Sequence, residues 1–484
     1  MARPTNDRIV LVLAISLGVL GLLWVRCVVL QVVDPHHYAA TAATQQRAIH
    51  TLPAPRGAIF DRAGRPLAVS IPVPSVFANA RQVTAKQAVA QELAKVVGKD
   101  AGMVQRRLEQ DKGFVWIARQ VAPTVAPALL SFRTSGVDTM EEPKRFYPQG
   151  RTAGHVLGFT DIDQRGLEGL ELLLNGVLRG QQGWRQTLRD AKGDLLFGPW
   201  TTQTEPLDGF DLVLTIDSVV QQAAEETLAW GVKTYHAKGG SVIVMDPASG
   251  EILAMANEPS YDPNEPAQAA AEARRNRAVT DMFEPGSIFK IVTAAALLEE
   301  GRVSLEETFF CEQGSWPTVA GHILHDHTPH GLLSFHDVIR LSSNIGTAKA
   351  AQRLKPDELH AYIRTLGFGR KTGVDVPGEV GGMVPAPTRW WKVSMYNIPI
   401  GHGVAVTPIQ LAVMTSVIAN GGLRVQPHVV QRIQTADGRV VRPAAVAEPV
   451  RVLNPQTAAT VQQMLRSVVE SGTGQLANVQ GLTV

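Results

Sequence analysis

An apolar run close to the amino terminus constrains the fold of this chain more than any other feature. Residues 9–25 carry no charge, and after Arg26 the apolar character continues to residue 30. A helix needs about 20 apolar residues to cross the hydrocarbon layer of a bilayer, whereas the apolar core of a cleaved signal peptide has only about 7 to 15. The sequence therefore predicts an uncleaved transmembrane helix over residues 9–30.

The charges in front of this run predict its orientation. Arg3 and Arg8 precede it, and basic residues that flank a membrane helix tend to stay in the cytoplasm. We expect residues 1–8 to form a cytoplasmic tail and the rest of the chain to be exported to the other side of the membrane. The alternative, a buried core helix, fits poorly with a terminal position and a basic leader.

The composition excludes several classes of protein. The 484 residues are 45% hydrophobic and 19% charged, which suits two or three domains with cores of their own. The formal net charge is +2 without a block of like charge that could follow a phosphate backbone, so nucleic acid is not expected as a partner. The two cysteines, Cys27 and Cys311, cannot form a four-thiolate metal site, and we interpret both as unpaired.

Two modules are predicted after the anchor. Residues 31–206 combine turn signals with helical stretches, which predicts an α+β domain without clustered catalytic side chains. From residue 207 the pattern changes, and the apolar runs 241–245 and 251–256 flank a loop that is typical of an antiparallel hairpin. We expect residues 207–484 to form a second α+β domain, rich in helices towards its end.

Ser287 and Lys290 form the sharpest chemical signal in the sequence. Pro and Gly precede Ser287 and a run of good helix formers follows it, which predicts that Ser287 lies in the first turn of a helix. Side chains three residues apart share a helix face. A serine becomes a nucleophile when a neighbouring base takes its proton, and a lysine can be that base when burial lowers its pKa. The apolar neighbours of Lys290 would provide that burial.

A Ser-x-x-Lys pattern alone is weak, because a chain of this length should contain about one by chance. By itself the pattern would describe an exposed serine and lysine on a helix. Further along the chain, Ser342-Ser343-Asn344 adds a second hydroxyl and an amide. Such groups could relay a proton and hold a substrate carbonyl, although a simple turn or helix cap is the commoner role of such a triplet.

Several longer segments resemble the signatures of class B penicillin-binding proteins, in the order expected for that family and over almost the whole chain. In the first half they are Arg-Gly-Ala-Ile-Phe-Asp-Arg-Ala-Gly at 56–64, Arg-Phe-Tyr-Pro at 145–148 and Gly-Leu-Glu-Gly-Leu-Glu at 166–171. In the second half they are Leu-Thr-Ile-Asp at 214–217, Tyr-Asp-Pro-Asn at 261–264, Gly-His-Gly at 401–403 and Thr-Pro-Ile-Gln-Leu-Ala at 407–412. Long motifs in a fixed order are far more specific than any triplet.

The resemblance implies an α+β architecture with a single transmembrane anchor, a pedestal or dimerisation domain and a β-lactamase-like transpeptidase domain. It implies that the anchor lies in the bacterial inner (cytoplasmic) membrane and that the catalytic domain lies on its periplasmic face. It also implies that Ser287 is the acylated nucleophile, that Lys290 is its base, and that Ser342 and Asn344 belong to a second catalytic motif. The expected reaction is peptidoglycan D,D-transpeptidation, with D-alanyl-D-alanine stem peptides as donors, an amine as acceptor and β-lactams as mimics of the donor. No cofactor and no metal are expected.

Within the family, the chain looks closer to the septal, cell-division branch than to the elongation branch. That similarity implies a membrane-embedded glycan polymerase and other division proteins as partners. Three alternatives stay open: an elongation-specific transpeptidase, a non-catalytic scaffold of the division complex, and a β-lactam sensor or hydrolase.

The third motif of the family, Lys-Thr-Gly on a strand beside the cleft, is expected after Val484. Lys371-Thr372-Gly373 has the same letters in a loop-like, glycine-rich setting, so we do not expect it to be catalytic. We expect the transpeptidase domain to lack its C-terminal strands here. The 484 residues would then be an incomplete copy of a longer enzyme, impaired by the loss of an oxyanion donor.

Two further clusters have simple interpretations. Five histidines lie between His322 and His336, but their spacing matches no familiar zinc pattern, and we expect a solvated loop above the cleft. Trp390-Trp391 is predicted to pack against its domain, with a lip on the substrate groove as the alternative.

Overall fold

The computed structural model describes residues 5–33, 47–110, 112–189, 195–196 and 201–482. The chain divides into two units by its internal contacts. The first unit comprises Met1–Ala54 and Gln181–Leu207, and the second comprises Pro55–Gly180 and Asp208–Val484.

The first unit contains the predicted anchor. An α-helix spans Thr5–Val28 and continues as a π-helical turn over Val29–Val33. Within it, Asp7–Val32 has a mean hydropathy of 2.4, and none of it is buried by the protein. A helix of this length and composition can cross a bilayer, and it fits the anchor predicted over residues 9–30.

A small antiparallel sheet completes the first unit. Its central strand, Gly183–Arg189, pairs with Arg47–Leu52, with Leu195–Leu196 and with Thr202–Thr204. The register places Trp184 opposite Thr51 on one neighbour and opposite Thr204 on the other.

Seven strands form the main sheet of the second unit. Their order is Val440–Pro443, Val430–Gln434, Asp211–Leu214, Ile59–Phe60, Pro66–Ala78 and Val115–Ala118, with Val137–Phe146 also paired to Pro66–Ala78. Ile59–Phe60 runs parallel to Asp211–Leu214, and the other pairs are antiparallel. Asp211–Leu214 is buried at every position, as expected for a strand in the middle of a covered sheet.

Two helices cover the long ribbon that Pro66–Ala78 and Val137–Phe146 make. The first, Lys86–Val97, ends at Gly98, whose left-handed φ of 64° is accessible to glycine without strain. The second, Ala101–Leu108, begins after Asp100, whose carboxylate accepts a hydrogen bond from Met103 N at 2.8 Å. Fully buried side chains fill the space between these helices and the ribbon, namely Val76, Leu93, Val104, Leu108 and Ile117.

Three of the signature segments meet in a buried ionic triad of Arg56, Arg145 and Glu171. Arg56 Nε and Arg145 Nε each donate to one oxygen of Glu171 at 2.6 Å. All three side chains are at most 2% exposed. A buried charge is tolerated only when it is paired and hydrogen-bonded, so each of these residues depends on the other two.

The predicted hairpin lies under a helix. Strands Gly240–Met245 and Ile252–Glu258 pair antiparallel, with Val242 opposite Ala256, and within the described residues their sheet has two strands. Helix Ser218–Thr234 starts at Asp217, whose carboxylate accepts from Val219 N at 3.0 Å. Small side chains of the helix and the hairpin pack together here, and they are Ala224, Ala254 and Ala256. The hairpin prediction is confirmed to within two residues at each end.

Helices make up most of the remaining second unit. The central one, Lys290–Glu299, is buried along most of its length, and Phe289, Phe335 and Phe368 pack around it as fully buried rings. Burying one such ring stabilises the fold by about 1.5–3 kcal/mol. The helices of this core are Phe335–Arg340, Asn344–Ala351, Pro356–Thr365, Pro408–Ala419 and Pro455–Ser471.

Short elements connect these larger ones. The paired strands are Thr308–Phe310 with Leu332–Ser334, Ser315–Pro317 with Ile323–His325, and Leu423–Arg424 with Val450–Arg451. The short helices are Ala126–Leu129, Gly154–Leu157, Gly169–Leu173, Asn175–Leu178, Ala271–Arg274, Arg277–Thr280 and Ser394–Asn397. Mixed helices and strands behind one apolar amino-terminal helix confirm the predicted α+β class.

Candidate active site

Ser287 lies in a tight turn at the entrance to the central helix. Gly286–Phe289 forms a 3₁₀ turn that leads into Lys290–Glu299, so Ser287 stands one turn ahead of the α-helix rather than inside its first turn. The turn is held by Gly286 N, which donates to Gly401 O at 3.2 Å. A Cβ on Gly401 would come within 2.1 Å of Gly286 O, which is why glycine is needed there. The Ser287 side chain faces solvent.

Lys290 is the buried partner of this turn. It is 2% exposed, and its Nζ donates to Ser342 O at 2.6 Å and to Ser342 Oγ at 3.0 Å. Burial lowers the pKa of Lys290 to about 8, while the Asp326 carboxylate acts in the opposite direction. About a tenth of the molecules therefore hold a neutral amine at pH 7, against a few in ten thousand for an ordinary lysine.

Ser342 is held in a conformation that its residue type avoids. Its φ is 58°, in the left-handed region, which costs a non-glycine residue about 1–2 kcal/mol. This conformation persists only where the surroundings enforce it. Here both the carbonyl and the hydroxyl of Ser342 contact Lys290 Nζ, so the strained residue meets the amine at two points.

Asn344 begins the next helix, Asn344–Ala351, and its Nδ2 donates to His325 O at 2.8 Å. The residue between the two motif positions, Ser343, caps this helix by accepting from Gly346 N at 2.9 Å. A helix cap was one of the roles that the sequence left open for this triplet. The Ser343 hydroxyl also donates to Asp326 Oδ2 at 2.7 Å, and no local sequence pattern signals that contact.

Among the four predicted residues the structure shows one direct contact, that between Lys290 and Ser342. Lys290 contacts Ser342, and Asn344 follows two residues later on the same segment. Ser287 shares a turn with Lys290, but within the described part of the chain its hydroxyl makes no hydrogen bond. Catalytic hydrogen bonds are often absent before substrate is bound. The arrangement offers an exposed hydroxyl, a buried amine with a lowered pKa and a second hydroxyl that touches the amine.

Lys371-Thr372-Gly373 lies in a loop in which Thr372 and Gly373 hydrogen-bond to Glu379. Thr372 N and Thr372 Oγ1 donate to Glu379 at 2.5 and 2.6 Å, and Gly373 N donates to the same carboxylate at 3.2 Å. Each of these hydrogen bonds ends on Glu379, within the loop itself. The loop-like setting predicted for this triplet is the one observed.

The histidine-rich segment and the tryptophan pair also have defined surroundings. No group of three or more metal-ligating side chains occurs among the residues that the structure describes, and Cys27 and Cys311 are both free thiols, as predicted. Trp390 packs into the helical core and its indole N–H donates to Pro385 O at 2.9 Å. Trp391 is 82% exposed and lines a cavity of about 690 Å³ with His402.

Two known domain families match this chain. Residues 240–484 match the "Penicillin binding protein transpeptidase domain". Residues 51–214 match the "Penicillin-binding Protein dimerisation domain". The two matches lie in the same order as the signatures found in the sequence.

Curated relatives extend over most of the chain. The "Probable peptidoglycan D,D-transpeptidase PenA" of Neisseria meningitidis is 34% identical over 90% of this chain and 73% of its own length. The "Penicillin-binding protein PbpB" of Mycobacterium tuberculosis is 34% identical over 93% and 70%. The "Peptidoglycan D,D-transpeptidase FtsI" of Escherichia coli is 30% identical over 96% and 76%.

Solved structures share the fold. Penicillin binding protein 3 of Mycobacterium tuberculosis, solved in complex with aztreonam, superposes with a TM-score of 0.68 at 29% identity, covering 89% of this chain and 80% of that one. A peptidoglycan synthetase from Bifidobacterium adolescentis gives 0.69 at 27% identity, covering 88% and 82%.

Proposed function

Since the chain belongs to the class B penicillin-binding protein family, we propose that it is a peptidoglycan D,D-transpeptidase that forms an acyl-enzyme on Ser287. The observation that carries the proposal is the contact of buried Lys290 with Ser342, one turn from the exposed Ser287 hydroxyl. An amine with a pKa near 8 can accept a proton at neutral pH. A serine so placed can attack a carbonyl.

The first half of the reaction consumes the donor stem peptide. Ser287 Oγ attacks the carbonyl between the two terminal D-alanines, and its proton passes to the neutral amine of Lys290. The tetrahedral intermediate then collapses, the leaving D-alanine takes the proton as its amine departs, and an ester remains on Ser287. Ser342 supports this step because its hydroxyl touches Lys290 Nζ and can carry a proton between the amine and the leaving group.

The second half forms the cross-link. An amine from a neighbouring stem peptide attacks the ester carbonyl, Lys290 accepts the proton that the amine loses, and Ser287 regains its own proton as the new amide forms. Asn344, at the start of its helix, would hold the peptide through its side-chain amide. A β-lactam mimics the donor and leaves an acyl group on Ser287 that the acceptor does not remove.

The apolar helix Asp7–Val32 would anchor this enzyme in the cytoplasmic membrane. Arg3 and Arg8 favour a cytoplasmic amino terminus, and the catalytic unit would then lie on the side where peptidoglycan is built. The similarity to FtsI of Escherichia coli supports a role in septal synthesis. A membrane-embedded glycan polymerase and other division proteins would then be its partners.

Fluorescent penicillin tests the proposal on the full-length protein. We expect the wild type to take up the label on the peptide that contains Ser287, as read by mass spectrometry, and Ser287→Ala to take up none. Ser249→Ala, which removes an exposed hydroxyl from the hairpin loop, should label like the wild type. Label that persists in Ser287→Ala would place the nucleophile elsewhere.

A further inference from the structure

Two consecutive residues, His325 and Asp326, hydrogen-bond to the segment that follows Ser342. His325 ends the short strand Ile323–His325, and its carbonyl accepts from Asn344 Nδ2 at 2.8 Å. The next residue, Asp326, accepts from Ser343 Oγ at 2.7 Å through Oδ2 and from Ile345 N at 2.9 Å through Oδ1. Three hydrogen bonds therefore join the end of this strand to three consecutive residues, 343–345.

The hairpin that presents Asp326 is itself fixed to the helix that Asn344 begins. Strands Ser315–Pro317 and Ile323–His325 pair antiparallel, and Asp326 N donates to Gly314 O at 3.1 Å. Buried Leu324 of the hairpin packs in one cluster with Ile345 of the helix. The carboxylate consequently meets the helix start in a defined position.

We propose that Asp326 is a positioning residue of the transpeptidation site: by holding Ser343 and Ile345 it keeps the strained Ser342 against Lys290. The inference rests on the proposed function. Ser342 requires such support because its φ of 58° is unfavourable for serine. A carboxylate also suits the first N–H groups of a helix, which have no partner inside it.

The charge of Asp326 acts on Lys290 against the effect of burial. Burial lowers the pKa of Lys290 and Asp326 raises it. Other charged groups on the elements packed around this helix form ion pairs, namely Lys349 with Glu312, Arg302 with Glu358, Arg340 with Asp337, Arg353 with Glu307, Arg466 with Glu470, and His402 with Glu284. On the packed helix Pro356–Thr365, His360 lies near Arg364 and Asp357.

Removing the charge of Asp326 should shift the pH dependence of acylation in a defined direction. Removing the negative charge withdraws the influence that favours the ammonium form, so the pKa of Lys290 falls further. If neutral Lys290 takes the proton of Ser287, the rise of the acylation rate with pH must move to lower pH. Loss of the hydrogen bonds alone would lower the rate at every pH without moving that rise.

The experiment measures the rate of acylation by fluorescent penicillin between pH 5 and 10 for the full-length protein. Asp326→Asn removes the charge and keeps one acceptor oxygen. The acylation rate of this variant should rise at a lower pH than the rate of the wild type. Asp326→Ala removes both, and its plateau rate should also fall by about 10- to 100-fold, the effect of displacing a catalytic group by about 1 Å. Ser343→Ala keeps the charge, so it should lower the plateau and leave the pH rise in place.

Asp375→Asn is the matched control. Asp375 is also a largely buried carboxylate that accepts from two consecutive backbone N–H groups, Val429 N at 2.6 Å and Val430 N at 2.9 Å, but it does not act on Lys290. Asp375→Asn should therefore leave the pH rise unchanged.

The proposal is overturned if the pH rise of Asp326→Asn coincides with that of the wild type or lies above it. Should Asp326→Asn fail to fold, Ser343→Ala decides: a plateau equal to that of the wild type overturns the positioning role. A wild type that takes up no penicillin on Ser287 would refute the proposed function itself. If the wild type is labelled and the acylation rate of Asp326→Asn rises at the same pH, only the role of Asp326 is refuted.

Discussion

Replacing Lys290 by arginine isolates the one property that the proposed mechanism requires of this residue, the ability to lose a proton. The pKa of Lys290 near 8 leaves about a tenth of the molecules with a neutral amine at pH 7. Arginine keeps the positive charge and the hydrogen-bond donors, but it does not deprotonate in proteins.

The expected loss follows from these populations. At pH 7 the neutral fraction falls from about one in ten to less than about one in 10⁵, so attack assisted by the side chain at position 290 is slowed at least about 10⁴-fold. General-base catalysis contributes about 10²–10⁴-fold in total, and unassisted attack sets the floor. Lys290→Arg should therefore slow acylation by about 10²–10⁴-fold.

The assay follows fluorescent penicillin uptake over time in the full-length protein, with thermal unfolding as a check that the variant is folded. Lys349→Arg is the control, because Lys349 lies on the neighbouring helix and pairs with Glu312 instead. Its rate should stay within about twofold of the wild type, as expected for a substitution outside the site. A folded Lys290→Arg that labels Ser287 within about tenfold of the wild-type rate would refute the reasoning, because tenfold is well below a general-base contribution.

Two further predictions concern residues outside the site. Glu171→Gln leaves the guanidinium groups of Arg56 and Arg145 buried without their carboxylate, so it should lower the free energy of unfolding by about 3–5 kcal/mol in denaturant titrations. Thr372→Ala removes one hydrogen bond to Glu379 and should cost about 1 kcal/mol of stability, measured by thermal unfolding, with penicillin uptake unchanged.

An exposed ion pair provides the comparison for the buried triad, and penicillin labelling provides the check for the loop at 371–373. Glu92→Gln is the control for the triad, since Glu92 pairs with Lys95 on an exposed helix surface and its loss should leave stability almost unchanged. If Glu171→Gln unfolds at the same denaturant concentration as Glu92→Gln, the triad does not stabilise the fold. If Thr372→Ala abolishes labelling, the loop at 371–373 belongs to the active site after all.

Local patterns predicted much of the fold because the forces that fix those elements are local. The hairpin at Gly240–Met245 and Ile252–Glu258 follows from two apolar runs around a turn sequence, and the anchor follows from length and hydropathy alone. The mixed architecture was predicted for the same reason. The proposed domain boundary near residue 206 stays a prediction.

Contacts between distant parts of the chain could not be predicted in this way. The hydrogen bond from Ser343 to Asp326 joins a helix start to the end of a separate hairpin, and Asp326 stood in a segment whose composition indicated only a solvated loop. The positive φ of Ser342 is equally hidden, because serine has no preference for that region. The pairing of Glu171 with two arginines is invisible until the sheet brings their segments together.

The roles of Ser287, Lys290, Ser342 and Asn344 rest on motif order and on the resemblance to the family. The structure adds burial and contact, since Lys290 is 2% exposed and touches Ser342. A motif of three letters gains meaning from such surroundings. Lys371-Thr372-Gly373 has the same residue types in different surroundings, because its threonine donates a hydrogen bond to Glu379 within the same loop.

The most direct test of the central claim is the pH dependence of acylation in the wild-type protein. If the neutral amine of Lys290 takes the proton of Ser287, the rate should rise about tenfold per pH unit in the acid range and level off above about pH 8, the pKa that burial gives this lysine. A rate that is flat from pH 6 to 9, or that keeps rising to the pKa of an ordinary lysine near 10, would contradict the account.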